Sequence, residues 1–150
     1  MKKLVSLLIA LFVFTNLSAQ DLYKADSRLS ECLGNEFISQ LESSRSDLIP
    51  YYNYYLDNSY YVVKLNSLEK EVTGTDIHTV LKQSKNPNEK VYFSEKTYTK
   101  EKFNPLNYNF NLSSNSFTTY IWKEAGIAII FYPLSHISAD FKDYMKNQNN

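Results

Sequence analysis

The sequence predicts an α+β fold: an antiparallel sheet of four or five strands, with N-terminal helices and a closing C-terminal helix. Three observations predict it. Leu29, Leu33, Phe37 and Leu41 recur every four residues, the spacing of one helix face. From Tyr60 onward, short β-branched and aromatic runs alternate with turn residues, as strands do. After Pro133, the residues Ile137, Phe141, Tyr144 and Met145 form a second helical stripe. Helices, then strands joined by short turns, then a helix, is the order of an α+β domain.

The first twenty residues, MKKLVSLLIALFVFTNLSAQ, read as a secretory signal peptide. Lys2 and Lys3 make a positive start, Leu4 to Phe14 is apolar apart from Ser6, and Ser18-Ala19 supplies small residues for cleavage. The signal is assigned to residues 1–19 and the mature chain to residues 20–150, as one domain. Leu17 is large for the position three before the cut, which leaves the bond open by about a residue. The competing reading, an uncleaved membrane anchor, needs about 20 apolar residues, and the run is shorter. No Cys follows the signal directly, as a lipoprotein would require; the first is Cys32.

The mature elements follow in order. Residues 25–46 are predicted helical, interrupted at Gly34-Asn35, which gives two short helices or one helix with a weak joint. Asp47 and Pro50 open another short helix through Tyr51–Leu56, stopped by Asp57-Asn58-Ser59. Residues 60–65 form a strand. Residues 75–82 are predicted helical, capped by Thr75, because Ile77, Val80 and Leu81 share a helical face. Asn86-Pro87-Asn88 marks a loop, and Val91-Tyr92-Phe93 a short strand. In Leu106-Asn107-Tyr108-Asn109-Phe110-Asn111-Leu112 apolar residues and Asn alternate without exception, so a strand here shows Leu, Tyr and Phe on one face and Asn on the other. The Asn row faces solvent or a partner. Residues 117–123 and 127–132 form a hairpin around Glu124-Ala125-Gly126, and the last strand, apolar on both sides, is central or covered. Ser135 caps the closing helix.

Composition narrows the function classes. Removing Lys2 and Lys3 from the 16 basic residues leaves 14 against 16 acidic, a net charge of −2. Such a balance does not bind nucleic acid or anionic lipid by bulk electrostatics. With three Gly, the chain has no Gly-rich phosphate loop. Cys32 is the sole cysteine, so no internal disulfide forms; between Leu29 and Leu33 it reads as a small buried hydrophobe, with a reactive thiol as the alternative. Stability comes from packing, and all 13 Tyr belong to the mature chain.

No catalytic motif and no cofactor or metal signature is present: no Gly-x-Ser-x-Gly, no Ser-x-x-Lys, no His-Glu-x-x-His. The two histidines, His78 and His136, have acidic neighbours at Asp76 and Asp140; two ligands fall short of the three or four that zinc takes. A Cys–His nucleophile pairs Cys32 with one of them, without a local signature. The candidate ligand-binding residues are Tyr51, Tyr52, Tyr54 and Tyr55, together with Trp122. Six Tyr fall within residues 51–61, too many for one short helix and strand to bury, and exposed Tyr with Asn is the chemistry of recognition surfaces. The bland alternative is that these rings pack helices onto the sheet.

The runs LIPYYNYYLDNSYYVVKL, FNPLNYNF and GIAIIFYP resemble small secreted proteins of Bacteroidota type that have no assigned function, and the Ser-Ala-Gln signal ending is similar to theirs. That resemblance implies export and no catalytic residues. Residues 118–137, TTYIWKEAGIAIIFYPLSHI, are similar to the terminal strands of an extracytoplasmic domain in the lysozyme-sensing anti-sigma factor family, without the Gly-containing stretch that follows there. The expected function is an exported, non-enzymatic interaction or binding protein of the cell envelope, periplasmic or secreted, whose partner is an envelope protein or glycan. The alternatives are a small envelope hydrolase acting on glycan or peptide, and a carbohydrate-binding module using exposed Tyr.

Overall fold

A computed structural model describes residues 23–67, 72–83, 91–93 and 96–148; the expected signal sequence and the expected loop at Asn86-Pro87-Asn88 lie outside the described residues. The chain divides into two compact units, one ending at Asn53 and the other starting at Tyr54.

The first unit holds α1 (Ser27–Leu33) and α2 (Asn35–Ser44), so of the two readings of the Gly34 break the chain takes two separate helices. Gly34 joins them at φ 84°, a conformation that suits a residue without Cβ. Asp26 caps α1: its carboxylate accepts the Arg28 backbone N–H at 2.9 Å and holds the Arg28 guanidinium at 2.8 Å. Arg28 in turn keeps the Asp26 carboxyl below its ordinary pKa. Asn53 ties the unit together, accepting from Asp26 N at 2.9 Å and donating to Lys24 O at 2.8 Å. Leu29, Ile38, Leu41 and Ile49 are buried. A 3₁₀ turn at Ser46–Leu48 leads into α3 (Ile49–Asn58), with Pro50 in its first turn as predicted, and the boundary between the units falls inside α3.

The second unit is built on a four-stranded sheet of β1 (Tyr60–Lys64), β2 (Thr75–Asp76), β5 (Thr118–Trp122) and β6 (Ile127–Phe131), in the order β1-β6-β5-β2. The apolar strand β6 is central, as its sequence predicts. The β5–β6 hairpin turns through Gly126 at φ 65°. Register places Tyr60 beside Phe131, Val62 beside Ile129, Tyr120 beside Ile129 and Trp122 beside Ile127, so one sheet face is continuously apolar. A separate two-stranded ribbon pairs β3 (Leu81–Lys82) with β4 (Tyr108–Asn109).

Several expectations are corrected. The four-stranded sheet is mixed, because β2 runs parallel to β5. Gly74 permits that approach: a Cβ there would lie 2.8 Å from the Thr119 carbonyl oxygen. Residues 75–82 are not a helix. Thr75 belongs to β2 and caps nothing; Asp76 turns the chain by accepting His78 N at 2.9 Å, and Thr79 Oγ1 donates to Asp76 O at 2.8 Å. The resulting 3₁₀ turn, Ile77–Thr79, buries Ile77 and Val80 together, since residues three apart eclipse in that geometry. The apolar spacing was real, and the short turn satisfies it. Val91–Phe93 forms no strand, although Val91 N donates to Val80 O at 3.2 Å. Of the alternating Leu106–Leu112 run only Tyr108–Asn109 pairs as a strand, and Pro105–Asn107 is a 3₁₀ turn. The closing helix α4 (Leu134–Gln148) starts one residue ahead of Ser135, which therefore lies inside it and is not its cap.

The apolar sheet face is covered by an irregular segment, not by a helix. Phe93 and Phe103 are buried with Tyr60, Tyr120, Trp122, Ile127, Ile129 and Phe131, and Tyr98, Tyr108, Phe110 and Leu112 pack against them. The rings meet edge-on or tilted: Phe110 lies 4.7 Å from Phe131 and 4.8 Å from Tyr120, and Phe93 lies 5.2 Å from Trp122. Such pairs contribute roughly 0.5–1.5 kcal/mol beyond area burial. Aromatic rings thus replace backbone pairing as the glue of this layer.

Candidate functional site

The aromatic cover does not close over the sheet completely. It leaves a cavity of about 200 Å³. Trp122 from β5, with Phe93, Phe103 and Tyr108, forms ring walls, and Thr97, Tyr98, Thr99 and Lys102 bring polar groups. The chain positions them by local rules. Trp122 points inward because its register partner Ile127 faces the core. Tyr108 shares its face with Phe110 by strand alternation, and its ring stacks at 5.8 Å on Phe103. Thr99 O accepts the backbone N–H groups of Lys102 and Phe103, a tight turn that carries Lys102 to the cavity and Phe103 into the core.

The polar groups of the cavity differ in how they are satisfied. Tyr98 Oη donates to Tyr60 Oη at 3.2 Å, and burial raises the Tyr98 phenol above its ordinary pKa. Trp122 is 5% exposed, and its indole N–H is buried without a hydrogen-bond partner among the described residues. A buried unmet donor costs about 1–3 kcal/mol. Tyr92, also at the cavity, is 79% exposed.

Of the five residues singled out in the sequence, Trp122 lines this cavity. Tyr51, Tyr52, Tyr54 and Tyr55 lie on α3, half-buried. The Tyr51 and Tyr52 rings meet edge-on at 6.2 Å. In the second unit, Tyr54 packs against Phe141 at 5.6 Å and Tyr144 at 5.2 Å, so the stripe predicted for the closing helix receives this ring. Tyr60 is buried and Tyr61 is exposed, on opposite faces of β1 as strand alternation requires. Sequence reasoning missed Tyr92, Phe93, Tyr98 and Phe103. Tyr92 and Phe93 read as a short strand and Tyr98 and Phe103 sit in polar sequence without a pattern; only the register of β5 brings Trp122 beneath them.

The histidines have carboxylate partners. His78 Nε2 sits 3.0 Å from Glu124 Oε2 and holds the Glu124 carboxyl below its usual pKa. His136 Nε2 is 3.1 Å from Asp140 Oδ2, the i, i+4 pair expected on the closing helix. Neither pair lines the cavity. Among the described residues no group of three or more His, Cys, Asp or Glu is arranged to hold a metal ion. Cys32 is half-buried on α1. Among the described residues, no helix is long and apolar enough to cross a membrane. No family model, curated protein or solved structure matches this chain.

Proposed function

We propose that this chain is an exported binding protein of the cell envelope that holds a small organic ligand in the aromatic cavity of its second unit. The single observation that carries the reading is the cavity wall. Aromatic rings on an apolar floor, with a few hydroxyls and one ammonium, have the composition of small-molecule sites: mostly apolar, with few directional polar groups. About 200 Å³ is room for one ring-sized group. Binding is favoured over hydrolysis because both His–carboxylate pairs lie outside the cavity wall. The signal sequence supports export, and sequencing the mature N-terminus tests it: the expected first residue is Gln20.

Trp122 is the only tryptophan, so the emission of the full mature chain reports on this cavity alone. The probes are single-ring molecules: phenol, benzoate and N-acetylglucosamine. At least one is expected to shift or quench Trp122 emission saturably, and Thr97→Phe, which fills the cavity from an exposed position, is expected to abolish the change. Emission indifferent to all three probes would sink the reading. So would turnover of a glycan or peptide substrate that disappears in His78→Ala or His136→Ala.

A further inference from the structure

The Asn row of residues 107–111 takes no part in the cavity, yet it is not merely solvated. Alternation sends Tyr108 and Phe110 into the aromatic layer and Asn109 and Asn111 to the other side. There they line a groove of about 560 Å³ with Thr75, Thr79, Ser113 and Thr118. Its polar lining is hydroxyl and amide, with no charged side chain among the described residues. Leu81 and Leu112, both half-buried, supply apolar surface beside these groups, and Val80 and Tyr120 lie buried in the wall.

The groove is preformed. Residues 111–113 do not pair with β5 through its backbone; they are stapled to its side chains. Asn111 N donates to Tyr120 Oη at 3.0 Å, and Tyr120 Oη lies 3.3 Å from Asn111 O. Ser113 N donates to Thr118 Oγ1 at 3.1 Å. Asn109 Nδ2 reaches Lys82 O at 3.5 Å, a weak contact. The Asn111 side-chain amide and the Thr75 hydroxyl make no hydrogen bond within the described residues. They are the groups open to a ligand.

We infer that this groove is a second binding site, for a neutral oligosaccharide. Hydroxyls and amides each donate and accept, which matches a sugar hydroxyl's own dual character. The apolar patches suit the C–H faces of the rings. An uncharged lining gives no attraction for a sulfated, phosphorylated or carboxylated chain. A rigid, stapled groove also lowers the ordering cost of binding.

The test follows the side-chain amide resonances of Asn109 and Asn111 in the full mature chain, with cellohexaose, maltohexaose and the hexamer of N-acetylglucosamine as probes. At least one is expected to shift both resonances saturably, with an affinity insensitive to added salt. Asn111→Ala is expected to weaken binding about tenfold, the scale of one lost hydrogen-bonding side chain. Thr75→Val is a second variant, also at an exposed position. Thr97→Phe is expected to leave this binding unchanged, which separates the groove from the aromatic cavity. The inference is overturned if no probe shifts the two amides, if Asn111→Ala and Thr75→Val both bind as tightly as the parent, or if Thr97→Phe abolishes the binding.

Discussion

The sheet of the second unit and the segment that covers it solve the same problem by different physics. In β1, β6 and β5 the backbone is satisfied by ladders with a fixed register, and side chains alternate faces by rule. Among the described residues of 91–112 only two pair as a strand, yet these residues are held by rings against rings and by side-chain hydroxyls accepting backbone N–H groups. The irregular cover leaves a cavity on its ring side and a groove on its Asn side. Both proposed sites lie where this cover meets strand residues: Trp122 at the cavity, Thr75, Thr118 and Tyr120 at the groove.

This contrast can be broken at the place where the two regions meet. Phe131 is fully buried on β6 and touches Tyr60, Phe110 and Tyr120. Phe131→Ala is expected to destabilise by about 3–5 kcal/mol in urea denaturation, because it empties the floor under the whole cover. A loss below about 1 kcal/mol would mean that the cover does not depend on the sheet. Gly74→Ala comes next. Its Cβ would press on the Thr119 carbonyl, so a loss of about 1–3 kcal/mol is expected, with amide exchange rising at β2.

Tyr120→Phe sharpens the comparison, since it keeps the ring and removes the staple. The expected loss is about 1–2 kcal/mol, with faster amide exchange at Asn111. The same residue gives a pH signature. Burial raises the phenol pKa of Tyr98 and Tyr120 above 10.0. A group whose folded pKa is raised stabilises fully below its unfolded value. That contribution is lost as pH rises past about 10 toward the folded value. Alkaline unfolding should therefore shift to higher pH in the Tyr98→Phe, Tyr120→Phe double variant, once its lower stability at neutral pH is subtracted. An unchanged alkaline slope would argue that neither ring is held as described. The smallest effect on stability belongs to Tyr92→Ala. At 79% exposure it is expected to change stability by less than about 0.5 kcal/mol while weakening the Trp122 emission response to single-ring probes.

The helices and the hairpin were legible in the sequence because local periodicity and turn chemistry determine them. The four-residue spacing from Leu29 to Leu41 and the break at Gly34 marked α1 and α2, although Phe37 of that spacing is exposed and Ile38 is buried beside it. The β5–β6 hairpin followed from apolar runs around Glu124-Ala125-Gly126. The stretch Thr75 to Lys82 was not legible, because Ile77, Val80 and Leu81 satisfy a helical period and a single 3₁₀ turn equally well. A parallel partner strand carries no local signal at all. The candidate site was legible only through Trp122.

By itself, then, the sequence determined which residues want burial, where the chain turns, that the Asn and aromatic side chains of residues 107–112 part to opposite faces, and that one cysteine leaves stability to packing. Only the tertiary structure decided that β2 joins β5 in parallel, that an irregular aromatic segment covers one face of the sheet, and that a cavity and a groove remain on either side of residues 108–112. The reason is range. Periodicity and capping act over one turn or one strand, whereas the mutual placement of Phe93, Phe103, Tyr108 and Trp122 is set by contacts between residues far apart in the chain, which no local pattern records.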